Sequence, residues 1–126
     1  MVIDTNIFIE FLRSKNKKGT TLFKIPDAQT KNISSITLFE LYSGATSKVK
    51  WNEVIKITRE VNILPVTEEI AIESAKIYQE LKAKNKIIEY RDIMIAATTI
   101  VQQQSLLTLN RKHFSRIPNI EFVLID

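Results

Sequence analysis

The sequence predicts an α/β sandwich built on a parallel sheet, in one domain spanning residues 1–126. Short apolar runs that suit buried strands alternate along the chain with longer segments whose apolar residues recur at helical spacing. This alternation is typical of strand–helix–strand units with parallel strands. A length of 126 residues suits a single core, and 2 Gly and 3 Pro leave little room for long irregular loops.

Five segments are predicted as strands because they are short, apolar and bounded by polar or turn-forming residues. Val2–Ile3 forms the end of the first buried strand, and Pro65 lies near the end of the third. The predicted strands are residues 2–3, 32–36, 61–66, 106–109 and 121–125.

The helices follow from apolar spacing and from capping residues. Ser34 or Ser35 is expected to cap the helix that runs out near Gly44, and Thr67 is expected to cap the longest helix. Residues 89–104 are apolar on most sides, which predicts the central buried helix. The helix after Thr67 has the apolar face Ile70, Ile77, Tyr78 and Leu81 and ends before a turn at residues 85–88. Further helices are predicted after Asp4 (apolar residues Ile7, Phe8, Phe11, Leu12), over residues 20–24 and over residues 51–60 (buried positions Val54, Ile55, Ile57), and a short helix or turn is predicted over residues 110–116.

Composition excludes several classes of site. The chain has no cysteine, which rules out disulfides, cysteine zinc sites and thiol nucleophiles. The same absence fits a reducing compartment, and we expect a cytoplasmic protein. The longest apolar stretch, residues 93–101, is about half the ~20 residues that a bilayer requires, so no membrane span is expected.

The net charge of +4 favours an anionic partner. Each basic group alone fits a solvated helix end or loop, but the four groups together favour contacts with phosphates. They are Lys15, Lys17 and Lys18; Lys48 and Lys50; Lys82, Lys84 and Lys86; and Arg111, Lys112 and Arg116.

Three acids lie where strand-like runs change to helix-like runs. Asp4 closes the first strand, Glu40 lies in the apolar segment after the second, and Asp92 leads into nine uncharged residues. In open parallel sheets, ligands bind beyond the carboxyl ends of the strands, so we expect these acids to share one edge. Three carboxylates in one crevice repel one another, and a divalent cation with oxygen ligands would offset that repulsion.

Each acid also has a purely structural interpretation. Asp4 could cap the first helix, Asp92 could be an acid in a first turn, and Thr37 with Glu40 matches a capping box. All three structural interpretations together are less convincing than each alone, because the sequence around Glu40 and Asp92 is apolar and burying a carboxylate without a partner costs free energy.

A fourth candidate ligand, in the segment after the fourth predicted strand, is less clearly defined than the three acids. Asn110 could offer a carbonyl oxygen to a metal or cap a short helix, and His113 could be a surface residue or a base without an evident partner. Small hydrogen-bonding residues flank the acids and could either orient them or serve as caps: Thr5, Asn6, Ser34, Ser35 and Thr108.

Four motifs occur in order from Asp4 to about Pro118. They are Asp4-Thr5-Asn6; Ile33-Ser34-Ser35 leading to Glu40-Leu41; Asp92-Ile93-Met94-Ile95-Ala96-Ala97; and Thr108-Leu109-Asn110 through Phe114-Ser115-Arg116-Ile117-Pro118. With these motifs the chain resembles PIN-domain ribonucleases, and among them the VapC toxins of bacterial type II toxin–antitoxin modules. No single motif is specific for this family, but the occurrence of all four in this order over nearly the whole chain is.

The resemblance implies a three-layer α/β/α sandwich with a central parallel sheet of about five strands. It implies an endoribonuclease that uses Mg²⁺ or Mn²⁺ held by Asp4, Glu40 and Asp92, with Asn110 as a further catalytic position, and products bearing a 5′ phosphate and a 3′ hydroxyl. Many members have a fourth acid where this chain has Asn110 and His113. Which of these two replaces it, and whether one metal or two is bound, stay open.

The resemblance also implies partners: an RNA substrate, a cognate VapB-like antitoxin, and a second copy of the chain in a homodimer. Phe11, Tyr42 and Trp51 are candidate antitoxin contacts, although we expect core burial for each of these aromatic residues.

Two other functions remain alternatives. A Mg²⁺ phosphatase or phosphoacceptor domain would need a lysine or second aspartate within a residue or two of the nucleophile, which Asp4-Thr5-Asn6 lacks. A degenerate PIN domain that binds RNA or protein without cleavage is the other.

Overall fold

Four parallel strands form one sheet in the computed structural model, which describes residues 1–125. The strands are β1 (Val2–Ile3), β2 (Asn32–Ser34), β3 (Asn62–Leu64) and β4 (Leu106–Leu107), and their order across the sheet is β3-β2-β1-β4. Val2 pairs with Asn32 on one side and with Leu106 on the other, so β1 is an internal strand.

Within residues 1–125, seven α-helices connect and cover these strands, and Lys17–Gly19 forms a single 3₁₀ turn. They are α1 (Thr5–Arg13), α2 (Thr21–Lys24), α3 (Ser35–Ser43), α4 (Lys48–Thr58), α5 (Glu68–Ala83), α6 (Tyr90–Val101) and α7 (Arg111–Phe114).

The core has two halves, one on each face of the sheet. Neighbouring side chains of a strand point to opposite faces, and both residues of β1 are fully buried. Val2 packs with apolar residues of α5 and α6, whereas Ile3 packs with those of α1, α3 and α4. The predicted α/β/α sandwich is therefore confirmed.

The predicted fifth strand at residues 121–125 is wrong as a strand. Its only pairing within the described chain is an isolated parallel bridge between Leu106 and Phe122. Leu106 N–H donates to the carbonyl of Glu121, and Val123 N–H donates to that of Leu106, at 2.8 and 2.9 Å. With β4 only two residues long, the ladder has no further partner, and Leu124 is 73% exposed.

Two expectations about buried residues also fail. Ile55, predicted to face the core, is exposed, because α4 turns only Val54 fully inward. Trp51 is exposed rather than buried, and its ring lies 4.4 Å from that of the half-buried Tyr42. Core burial therefore does not account for Trp51.

Within residues 1–125, no helix combines the length and the apolar character that a membrane crossing requires.

Candidate functional site

Asp4 lies at the carboxyl end of β1 and is the N-cap of α1. Its Oδ1 accepts a hydrogen bond of 2.8 Å from the backbone N–H of Thr5, and its Oδ2 accepts one of 2.7 Å from the hydroxyl of Thr108. The residue is only 4% exposed. The capping interpretation is thus correct, but it leaves one negative charge almost without solvent.

Glu40 lies on α3, and its Oε1 accepts a hydrogen bond of 2.8 Å from the hydroxyl of Thr5. The predicted capping box is wrong, because Ser34 caps α3 and Thr37 lies inside the helix. The hydroxyls of Thr37 and Thr5 are instead 2.9 Å apart. Because Thr5 has one hydroxyl hydrogen, Thr37 can supply the second bond, which links Thr37, Thr5 and Glu40 in a chain.

Asp92 lies in the first turn of α6, as the sequence predicts. Its Oδ2 lies 3.1 Å from Nε2 of His113, on α7. The partner that the sequence could not show for His113 is therefore Asp92.

The three carboxylates influence one another through charge. Burial is the main cause that raises the pKa of Asp4 to about 6, and repulsion from Asp92 and Glu40 adds to the rise. Burial likewise raises the pKa of Glu40 and of Asp92, while Arg91 lowers both and His113 lowers that of Asp92. The edge of the sheet therefore holds more negative charge than its surroundings stabilise.

The donor set suits a hard dication in its chemistry. Asp4, Glu40 and Asp92 offer carboxylate oxygens, the ligands that Mg²⁺ and Mn²⁺ prefer, and Oδ1 of Asp92 makes no hydrogen bond within residues 1–125. In the same residues, however, no three acidic or histidine side chains form a compact metal-binding group. The three acids thus lie along one edge of the sheet, but their side chains are not arranged as a complete set of metal ligands.

The flanking polar residues divide into two roles. Thr5 and Thr108 contact the acids directly, as described above. Asn6 instead holds the segment that follows β4, since its Oδ1 accepts a bond of 3.3 Å from the backbone N–H of Leu109. Ser34 caps α3, and the hydroxyl of Ser35 accepts a bond of 3.1 Å from the backbone N–H of Val66.

Asn110 is exposed and occupies the N-cap position of α7 without a side-chain capping bond. Its backbone N–H donates to the hydroxyl of Thr108 at 3.0 Å, which ties the start of α7 to the residue that holds Asp4. His113, rather than Asn110, is the residue of this segment in contact with a candidate ligand.

Sequence reasoning missed Thr37 and Arg91. Arg91 directly precedes Asp92, and its Nε lies 4.0 Å from Oε2 of Glu40. Its position in the sequence was a usable signal, because a cation next to a candidate ligand on the first turn of a helix must lie near the same edge. For Thr37 the sequence offered only the wrong signal, a capping pattern.

The sequence of this chain is similar to those of known proteins. The PIN domain family matches residues 1–120. The protein named Ribonuclease VapC1 from Methanocaldococcus jannaschii is 30% identical over 127 residues, which cover 100% of this chain and 87% of that protein.

Solved structures give the same fold. VapBC2 from Rickettsia felis, bound to a DNA fragment from its promoter, superposes with a TM-score of 0.80 at 26% identity and covers 99% of this chain and 98% of its own. A toxin–antitoxin complex from Klebsiella pneumoniae superposes with a TM-score of 0.76 at 28% identity, covering 94% and 93%.

Proposed function

This chain belongs to the PIN domain family, and from that premise we propose that it is a metal-dependent endoribonuclease, the VapC-type toxin of a type II toxin–antitoxin pair. We propose that residues 1–126 form one PIN domain. The observation that carries the proposal is the buried carboxylate of Asp4 at the carboxyl end of an internal strand. The carboxylates of Glu40 and Asp92, which lie on two other elements, repel its negative charge.

The proposed cofactor is Mg²⁺ or Mn²⁺, held by Asp4, Glu40 and Asp92. When bound, such an ion lowers the pKa of a coordinated water and polarises the scissile phosphodiester. Support comes from the raised pKa values of all three acids, since a dication offsets the charge that burial and mutual repulsion disfavour.

The chain's own residues hold these ligands in place. The Thr5 backbone and the Thr108 hydroxyl fix both oxygens of Asp4, and the Thr5 hydroxyl fixes one oxygen of Glu40. The imidazole of His113 fixes one oxygen of Asp92 and leaves the other available. Such supporting bonds orient carboxylates before a cation arrives.

Asn110 is proposed as the neutral residue at the fourth position, where its exposed amide can meet RNA or an ion. A neutral residue there lowers the negative charge of the site by one relative to an acid.

The proposed partners are an RNA substrate, a VapB-like antitoxin and a second copy of the chain. The antitoxin is supported by neighbours whose structures are VapBC complexes and by the net charge of +4, which suits RNA and an acidic protein segment.

The test is an RNA cleavage assay with Mg²⁺, with Mn²⁺ and with EDTA. We expect cleavage that EDTA abolishes, and no cleavage by the Asp4→Asn or Asp92→Asn variants, whose circular dichroism should match that of the wild type. Asp27→Asn is the control, since Asp27 is exposed and lies on the groove lined by Lys31 and Glu60. Cleavage by Asp92→Asn at the wild-type rate would overturn the proposal. RNA binding without cleavage by the wild type would favour a degenerate PIN domain.

A further inference from the structure

Arg91 is a cation at the rim of a crevice lined by acids. It is the second residue of α6, and its charge acts on both Glu40 and Asp92. An RNA strand that approaches three carboxylates is repelled by them, so a cation at this rim has a direct effect on binding.

A neighbouring acid restrains Arg91. Glu89 is the N-cap of α6, and both of its carboxylate oxygens lie 3.2 Å from Nε of Arg91. Both side chains are 49% exposed, and ion pairs exposed to this degree are weak. A stronger anion can therefore displace Glu89 from its ion pair with Arg91.

The terminal nitrogens of Arg91 are available. Within residues 1–125, all hydrogen bonds of the guanidinium leave from Nε, so Nη1 and Nη2 have no protein acceptor. A guanidinium binds two phosphate oxygens side by side with two N–H groups, which an ammonium group cannot do with the same geometry.

We propose that Arg91 binds a backbone phosphate of the RNA substrate next to the carboxylate crevice, and that Glu89 competes for Arg91 and so weakens RNA binding. The proposal rests on the proposed ribonuclease function, because it takes RNA as the ligand.

Binding is measured without cleavage, in EDTA, by the fluorescence anisotropy of a short single-stranded RNA labelled with fluorescein, over a series of salt concentrations. For Arg91→Gln we expect a Kd at least about threefold weaker and a salt dependence whose slope falls by about 0.7, the value for one phosphate contact on a single strand. Arg91→Lys should keep the slope and recover only part of the affinity.

For Glu89→Gln we expect tighter binding, while the amide oxygen of glutamine can still accept the capping bond from the Arg91 backbone N–H. In the double variant with Arg91→Gln this gain should vanish, because Glu89 acts through Arg91. The matched controls are Arg59→Gln and Glu60→Gln. Both residues are exposed and line a groove with Lys31 at the amino ends of β2 and β3, whereas Asp4 lies at the carboxyl end of β1.

The inference is overturned if Arg91→Gln binds RNA as tightly as the wild type, or if Arg59→Gln loses as much affinity. The competing role of Glu89 is overturned if Glu89→Gln still tightens binding in the Arg91→Gln background. A wild type that never cleaves RNA with Mn²⁺ contradicts the proposed function instead, whatever these affinities are.

Discussion

Replacing Asp4 with asparagine should make the metal-free protein more stable while it abolishes cleavage. The reason is the charge that folding buries. The pKa of Asp4 is about 6 in the folded chain against an ordinary 3.8, and a rise of about 2 in pKa corresponds to about 3 kcal/mol at 1.36 kcal/mol per pKa unit.

The direction of the pH dependence follows from proton binding. Because the folded state holds the Asp4 proton more tightly than the unfolded state, the free energy of unfolding falls as the pH rises from about 4 to about 6 and then levels off. Asparagine carries no charge at any pH, so the free energy of unfolding of the variant does not show this decrease. Its amide oxygen can accept the bond from the Thr5 backbone N–H, whereas the bond to Thr108 reverses, with the asparagine amide nitrogen donating to a hydroxyl oxygen that also accepts from the Asn110 backbone N–H.

The assay is urea unfolding in EDTA, followed by circular dichroism, at about pH 4.5 and about pH 7.5. At the higher pH we expect Asp4→Asn to exceed the wild type by up to about 3 kcal/mol, and at the lower pH we expect a much smaller difference. If Asp4 is a metal ligand, as we propose, Mn²⁺ should stabilise the wild type and leave the variant unchanged. Asp27→Asn, at an exposed site, should show neither effect. A metal-free variant that is less stable than the wild type at the higher pH, or a difference that does not change with pH, would refute the reasoning.

Three further outcomes are expected. Thr108→Val, which removes the donor to Oδ2 of Asp4, should lower the free energy of unfolding by about 1–3 kcal/mol, with a larger loss at about pH 7.5 than at about pH 4.5 in urea titrations. Leu81→Ala, at a fully buried position of α5, should cost about 2–5 kcal/mol in calorimetry and leave the metal preference of cleavage unchanged. His113→Ala should weaken Mn²⁺ binding in calorimetric titrations, while His113→Gln, whose amide can still donate to Asp92, should recover part of it; equal affinities in both variants would contradict the supporting role of the imidazole.

Local sequence signals located the acids and two of the residues that support them, Thr5 and Thr108, but not His113 as the partner of Asp92. Asp4 and Asp92 stand at boundaries between apolar runs, and the structure keeps both there, one as a cap and one in a first turn. The contact between His113 and Asp92 joins residues 21 positions apart, and no local pattern encodes it. It depends on how α7 returns over α6, which tertiary packing decides.

Two predictions failed, each for its own physical reason. Ser34 caps α3 before Thr37 can, which frees the Thr37 hydroxyl to contact Thr5. The fifth strand failed because β4 ends after Leu107 and gives residues 121–125 only one bridge, at Phe122. Strand propensity predicts which residues tolerate an extended backbone, but pairing needs a partner of matching length.

The hydrogen bond between Asp4 and Thr108 spans 104 positions of the chain. During synthesis, Asp4 leaves the ribosome long before its partner does, and β4, which directly precedes Thr108, pairs with β1 only afterwards. A nascent or prematurely terminated polypeptide therefore lacks one wall of the crevice. For a protein that would damage the RNA of its own cell, this order of assembly delays activity until nearly the whole chain has been translated.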